Sequence, residues 1–137
     1  MGINADLFFA VPTDAPESLR LECEDILRLL DPCLSGANQR ARACWGGDDF
    51  DLDANLDYVE FDPPPGRRWL TVWGLNRWYS DPRHGNKNWY NGALWELRDH
   101  LFVAAALEVV TGVAPVFGPD TGNSDAFVTL DAETRCA

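Results

Sequence analysis

The chain has 137 residues and a net charge of −11, from 22 acidic and 11 basic residues. That length suits one domain with a core of its own, and a composition of 46% hydrophobic and 12% aromatic residues excludes a disordered chain. No apolar run approaches the ~20 residues of a membrane span, and the acidic balance argues against a nucleic-acid partner, which needs a basic surface.

Ile3 to Val11 predicts a strand. Leu7, Phe9 and Val11 share one face, Phe8 and Ala10 the other, so both faces are expected to be covered. No basic residue precedes these apolar positions and Asp6 interrupts them, so the segment reads as a strand and not as an export signal. The expectation is a cytoplasmic protein with reduced thiols. Cys23, Cys33, Cys44 and Cys136 are widely and irregularly spaced, with no CxxC pair, which argues against a zinc site.

The TDAPE sequence predicts a helix start, with Asp14 as N-cap, Pro16 in the first turn and Glu17 at the capping-box position. Leu19, Cys23, Ile26, Leu27 and Leu30 form its apolar stripe, which places Cys23 in the core. Asp31-Pro32 ends the helix, because a residue before proline avoids helical geometry. Ala37 to Cys44 is open to a short second helix, stopped by Gly46-Gly47.

Asp48 to Phe61 is acidic and alternates, with Leu52, Ala54, Leu56 and Tyr58 against Asp51, Asp53, Asn55 and Asp57. That is the period of a half-exposed strand, firmest over Leu56 to Phe61. PPPG at 63–66 is a stiff turn. Arg67 to Leu75 predicts a strand apolar on both faces, suited to a central position. Residues 76–91 form a polar-aromatic loop, longer than most. A helix is expected over Gly92 to Thr111, with Leu94, Leu97, Leu101, Ala104, Ala105 and Glu108 on one side. Its C-terminal half is apolar nearly all round and is expected to be deeply packed, and Gly112 follows it as C′ residue. Val113 to Phe117 and Ala126 to Leu130 predict short strands. The resulting order is that of an α+β ferredoxin-like βαββαβ split sandwich with an extra C-terminal strand. Two helices would cover one face of an antiparallel sheet in a single domain.

Three groups of residues bear on function. Asp49, Asp51, Asp53, Asp57 and Glu60 fall at positions 1, 3, 5, 9 and 12 of a segment that resembles an EF-hand calcium loop. Ala54 stands where that loop requires glycine, and FDPPPG forbids the exiting helix. The same acids read as a surface that docks a basic partner, or as an edge strand kept soluble by charge. Trp78, Tyr79, Trp89 and Tyr90 lie among Arg77, Arg83, His84 and Lys87, a composition of interface anchors. Of the two histidines, His84 lies near Asp81 and Arg83, and His100 follows Asp99 on the last long helix, where it reads as a polar-face or helix-packing residue. There is no GxSxG, Walker, GxGxxG or HExxH motif, so no enzyme and no cofactor is expected.

The stretch from RWYSDPRHGNKNWYNGALWELRDHL to APVFGPDTGNSD pairs aromatics after a strand with a glycine-containing loop, then a helix, then a short strand ending in Gly118-Pro119-Asp120. In this layout it resembles small acidic immunity proteins that neutralise bacterial toxins of polymorphic or contact-dependent systems. The resemblance implies an inhibitor that binds its toxin and does no chemistry. The expectation is therefore a protein-binding inhibitor of a basic toxin. Asp49, Asp51, Asp53, Asp57 and Glu60 would supply charge, and Trp78, Tyr79, Trp89 and Tyr90 the anchors. The alternatives are a small enzyme or ligand-binding domain using His84, Asp81 and Arg83, and a calcium-responsive module using residues 49–60.

Overall fold

The computed structural model describes residues 5–34, 41–46, 63–73, 75, 98–119 and 128–135. Its elements are β1 (Ala5–Pro12), α1 (Glu17–Leu30) running into a 3-10 turn (Asp31–Cys33), and β2 (Arg42–Trp45). They continue with β3 (Arg67–Trp73), α2 (Arg98–Thr111), β4 (Val116–Pro119), β5 (Val128–Thr129) and a short α3 (Ala132–Arg135). Among the described residues the strands form one antiparallel sheet in the order β2-β3-β1-β4-β5. The fold is α+β.

Strand alternation divides the sheet into two faces. Leu7 pairs with Val72 and Phe9 with Leu70 across β1 and β3, and Ala43 and Trp45 of β2 extend that face. Against it lie Cys23 and Leu27 of α1 and Val103, Ala104 and Leu107 of α2, in one core cluster that also holds Phe117 and Leu130. Each fully buried Val, Leu or Phe side chain in it is worth roughly 1.5–3 kcal/mol. On the opposite face Phe8, Cys44, Trp69 and Thr71 are also buried, and the rings of Phe8 and Trp69 meet edge-on at 5.7 Å. Burial on both faces is what β1 and β3 predicted.

Two turns follow their residue chemistry. Arg67 N donates to Pro64 O at 3.1 Å and Gly66 has φ 77, so Pro65-Gly66 takes the type II turn that needs glycine at its third position. Gly112, φ 79, closes α2 by donating to Glu108 O at 2.8 Å.

Four expectations are corrected. Helix α1 begins two residues later than TDAPE suggested: Pro16 is its N-cap and no side chain caps it. Asp14 instead lies in the turn that Ala15 N closes on Pro12 O. The strand beside β3 is Arg42–Trp45, where a helix over 37–44 had been open; the acidic strand expected there, residues 48–61, lies outside the described residues. The buried side of α2 is Asp99, His100, Val103, Ala104 and Leu107, rotated from the expected stripe. Val109, 85% exposed, and Phe102, 42% exposed, face outward. An all-round apolar helix end predicted full burial, but among the described residues α2 packs chiefly on α1 and β1, and Val109 and Phe102 lie outside that contact. Strand β4 starts at Val116, three residues later than expected, and α3 had no counterpart in the sequence reading. It is fixed by Asp131, which accepts from Thr134 N at 2.9 Å, and by Arg135, which donates to Glu108 Oε1 and Leu130 O.

Candidate functional site

A dense polar network lies where α1 passes the β2 edge. Its helical part is spaced three and four residues apart: Glu17, Arg20 and Glu24 fall on one side of α1. Glu17 Oε2 accepts from Arg20 Nε at 3.0 Å and from Arg20 Nη2 at 2.5 Å. Glu17 Oε1 accepts from the Trp45 indole Nε1 at 2.7 Å. The face of Trp45 carries the Arg68 guanidinium, 3.7 Å from the ring centroid, a cation–π contact.

The same helix face satisfies the sheet edge. Gly46 N donates to Trp69 O, so along β2 the groups of Cys44 and Arg42 also point to β3 and those of Ala43 point away. Ala43 N donates to Glu24 Oε1 at 2.7 Å, and Ala43 O accepts from Arg20 Nη1 at 2.9 Å. Two side chains four residues apart thus stand in for a neighbouring strand. A groove of about 370 Å³ runs along this edge, lined by Glu17, Arg20, Glu24, Arg42, Ala43, Cys44 and Trp45.

The electrostatics make this cluster a clamp. The hydrogen bonds from Arg20, then from Trp45, draw the Glu17 carboxyl down from 4.5 to about 2. Glu17 in turn raises the Arg20 guanidinium above its ordinary value. Neither group changes charge near neutrality, so neither suits general acid–base work there. Below the clamp, burial pushes the Cys23 thiol up to about 12, which keeps it protonated and unreactive. Among the described residues no three His, Cys, Asp or Glu side chains gather closely enough to hold a metal ion.

No family model, no curated protein and no solved structure matches this chain.

Most of the residues singled out in the sequence fall outside the described residues. Asp49, Asp51, Asp53, Asp57, Glu60, Trp78, Tyr79, Trp89 and Tyr90 lie outside the described residues, as do Asp81, Arg83 and His84. His100 is buried and packs edge-on against Phe117 at 5.2 Å, the packing role expected of it. The residues that do build the network were missed: Glu17 had been assigned to a capping box, and Arg20, Glu24, Trp45 and Arg68 had drawn no attention. The 17-20-24 spacing was the signal, and it reads equally well as an exposed helix face until a strand edge is set beside it.

Proposed function

We propose that the chain is a cytoplasmic protein-binding inhibitor of the immunity type, which neutralises a basic bacterial toxin by covering its active site. Charge placement carries the reading. Residues 48–62 hold seven of the 22 acidic residues and no basic one, and they join β2 to β3, two strands bonded to each other. Glu17, Glu24 and Glu108 of the frame each engage a partner within the fold. Excess charge concentrated in one connection of a braced sheet favours encounter with a cationic surface and rejection of other partners. In this proposal Asp49, Asp51, Asp53, Asp57 and Glu60 supply the charge, and Trp78, Tyr79, Trp89 and Tyr90 the desolvated anchors. The chain itself performs no reaction and uses no cofactor. The element order and the sheet order β2-β3-β1-β4 support a ferredoxin-like βαββαβ split sandwich, with β5 as the added strand.

The test is capture with the tagged full chain at low and high salt, identification of the captured protein by mass, and assay of that protein alone and with the chain. The expected result is one stoichiometric basic partner, released by salt, whose toxic activity the chain abolishes. A fivefold variant, Asp49→Asn, Asp51→Asn, Asp53→Asn, Asp57→Asn and Glu60→Gln, is expected to bind more weakly with a flatter salt dependence. Unchanged affinity and salt slope in that variant overturn the charge argument, and a captured protein whose activity the chain leaves intact overturns the inhibitor reading.

A further inference from the structure

We infer that Cys44 is an oxidation site: hydrogen peroxide entering the groove beside β2 converts its thiol to a sulfenic acid, which the Thr71 hydroxyl holds. The inference is independent of the toxin-inhibitor reading. Cys44 and Thr71 are register partners on β2 and β3, so their side chains leave the same face of the sheet with Cβ atoms about 5 Å apart. Thr71 is fully buried and its Oγ1 has no hydrogen-bond partner. That oxygen points toward β2: a Cβ built on Gly46, two residues beyond Cys44 on the same face, lies 3.3 Å from it. A buried hydroxyl left unpaired costs stability, and a redox role is one of the few reasons for a native fold to keep one. An oxygen atom added to the Cys44 sulfur supplies the partner that Oγ1 lacks.

Access and charge fit the same step. Cys44 lines the groove of about 370 Å³, which admits a molecule as small as a peroxide, whereas Cys23 lies within the core. Arg20 and Arg42 line the groove with it. The Cys44 charge is among those that raise the Arg20 guanidinium, which puts thiolate and cation within electrostatic reach. Arg42 lies two residues away on the face of Cys44, and among the described residues no carboxylate pairs with it. Glu17 and Glu24 also line the groove, but Glu17 is engaged by Arg20 and Trp45, and Glu24 by the Ala43 amide. Nearby cations favour the thiolate, which is the nucleophile. Its sulfur attacks one peroxide oxygen. The S–O bond forms as the O–O bond breaks, and the departing hydroxide takes the proton the thiol gave up and leaves as water. Sulfur loses two electrons, the peroxide gains them, and the product is the sulfenic acid.

The experiment exposes the reduced, folded full chain to hydrogen peroxide, removes the peroxide with catalase, and unfolds the chain in urea containing a cyclic 1,3-dione that traps sulfenic acids. Trapping after unfolding keeps access of the dione from deciding the result, and peptide mass mapping assigns the adducts. Cys44 is expected to be oxidised about tenfold faster than the exposed Cys33, with Cys23 blank. Thr71→Val is expected to lower the Cys44 adduct about fivefold to tenfold, the fold-change of one hydrogen bond, and to leave Cys33 unchanged. Thr71→Ser, which keeps the hydroxyl, is expected to retain the native yield, and this separates the hydrogen bond from packing. Arg42→Gln, at an exposed position, is expected to slow oxidation at Cys44 alone. Near-ultraviolet circular dichroism checks that each variant is folded. Cys44 oxidised no faster than Cys33 in the folded native chain overturns the inference, and that comparison needs no variant. So does a native yield at Cys44 in folded Thr71→Val, or a loss in Thr71→Ser equal to the loss in Thr71→Val.

Discussion

The indole N–H of Trp45 and the carboxylate of Glu17 meet at 2.7 Å although 28 positions separate them in the chain. That bond fastens the first turn of α1 to the end of the edge strand, and Arg68 from β3 closes over the other side of the indole. Three elements that are distant in sequence are pinned at one aromatic ring, and the helix so pinned supplies the side chains that finish the sheet edge.

Glu17 gives the clamp a pH dependence with a definite sign. Its carboxyl sits at about 2 in the fold against 4.5 ordinarily. A depressed acid stabilises the fold fully above its unfolded value and loses that contribution as pH falls through the folded one. Denaturant titrations of the native chain and Glu17→Gln are expected to show the native chain more stable at neutral pH. The gap should narrow steadily between 4.5 and about 2. Trp45→Phe, which keeps a ring under Arg68 but loses the donor, is expected to show a smaller gap over the same window. A gap that does not change with pH would mean the carboxyl is not depressed.

Gly46 is required by space. A Cβ built there lies 2.7 Å from Trp69 Cβ and 3.3 Å from Thr71 Oγ1. The first contact is with an atom tied to the β3 backbone, which cannot swing aside, so the strands must part. Gly46→Ala is expected to destabilise by about 1–3 kcal/mol, read as a lower urea midpoint with an unchanged slope.

The sheet was largely legible because its signals are local. Alternation in Leu7 to Val11 and in Trp69 to Val72 announced strands buried on both faces, and Pro65-Gly66 announced the turn. Strand β2 was not legible. Arg42 to Trp45 is four residues long, and its stability comes from Trp45 reaching Glu17 and from Ala43 reaching Arg20 and Glu24, contacts that cross 19 to 28 positions. A strand set by tertiary partners leaves little alternation to read. The same distance hid the clamp: each of its residues has an ordinary local explanation, and only their meeting at one edge gives them a joint role. The helix face of α2 was misplaced because Asp99 and His100 are buried, and a polar pair carries no apolar periodicity.

Thr71 carries a defect that can be removed. It is fully buried, and its Oγ1 has no hydrogen-bond partner. A buried hydroxyl without a partner keeps its desolvation cost and gains nothing in return. Thr71→Val, which preserves the branched shape favoured in strands, is expected to stabilise the protein by about 1 kcal/mol, seen as a raised urea midpoint. A loss of stability would show that the hydroxyl has a role in the native sheet.

The cysteines are expected to separate cleanly by accessibility. Cys23 is fully buried beneath α1 with its thiol at about 12, while Cys33 is exposed at the end of the 3-10 turn. Alkylation needs the thiolate and a path to it. Cys33, being exposed, should label without unfolding. Cys23 should label only through the unfolded fraction, about 10⁻³ or less, so peptide mass mapping over time should show one site filled while the other stays empty. The raised thiol also has a stability consequence. The folded state favours the protonated form, so this contribution is complete below the ordinary value of 9 and is lost as pH rises from there toward about 12. In the native chain, added alkali should therefore accelerate Cys23 labelling more steeply than Cys33 labelling. Parallel rates at the two sites would place Cys23 outside the core.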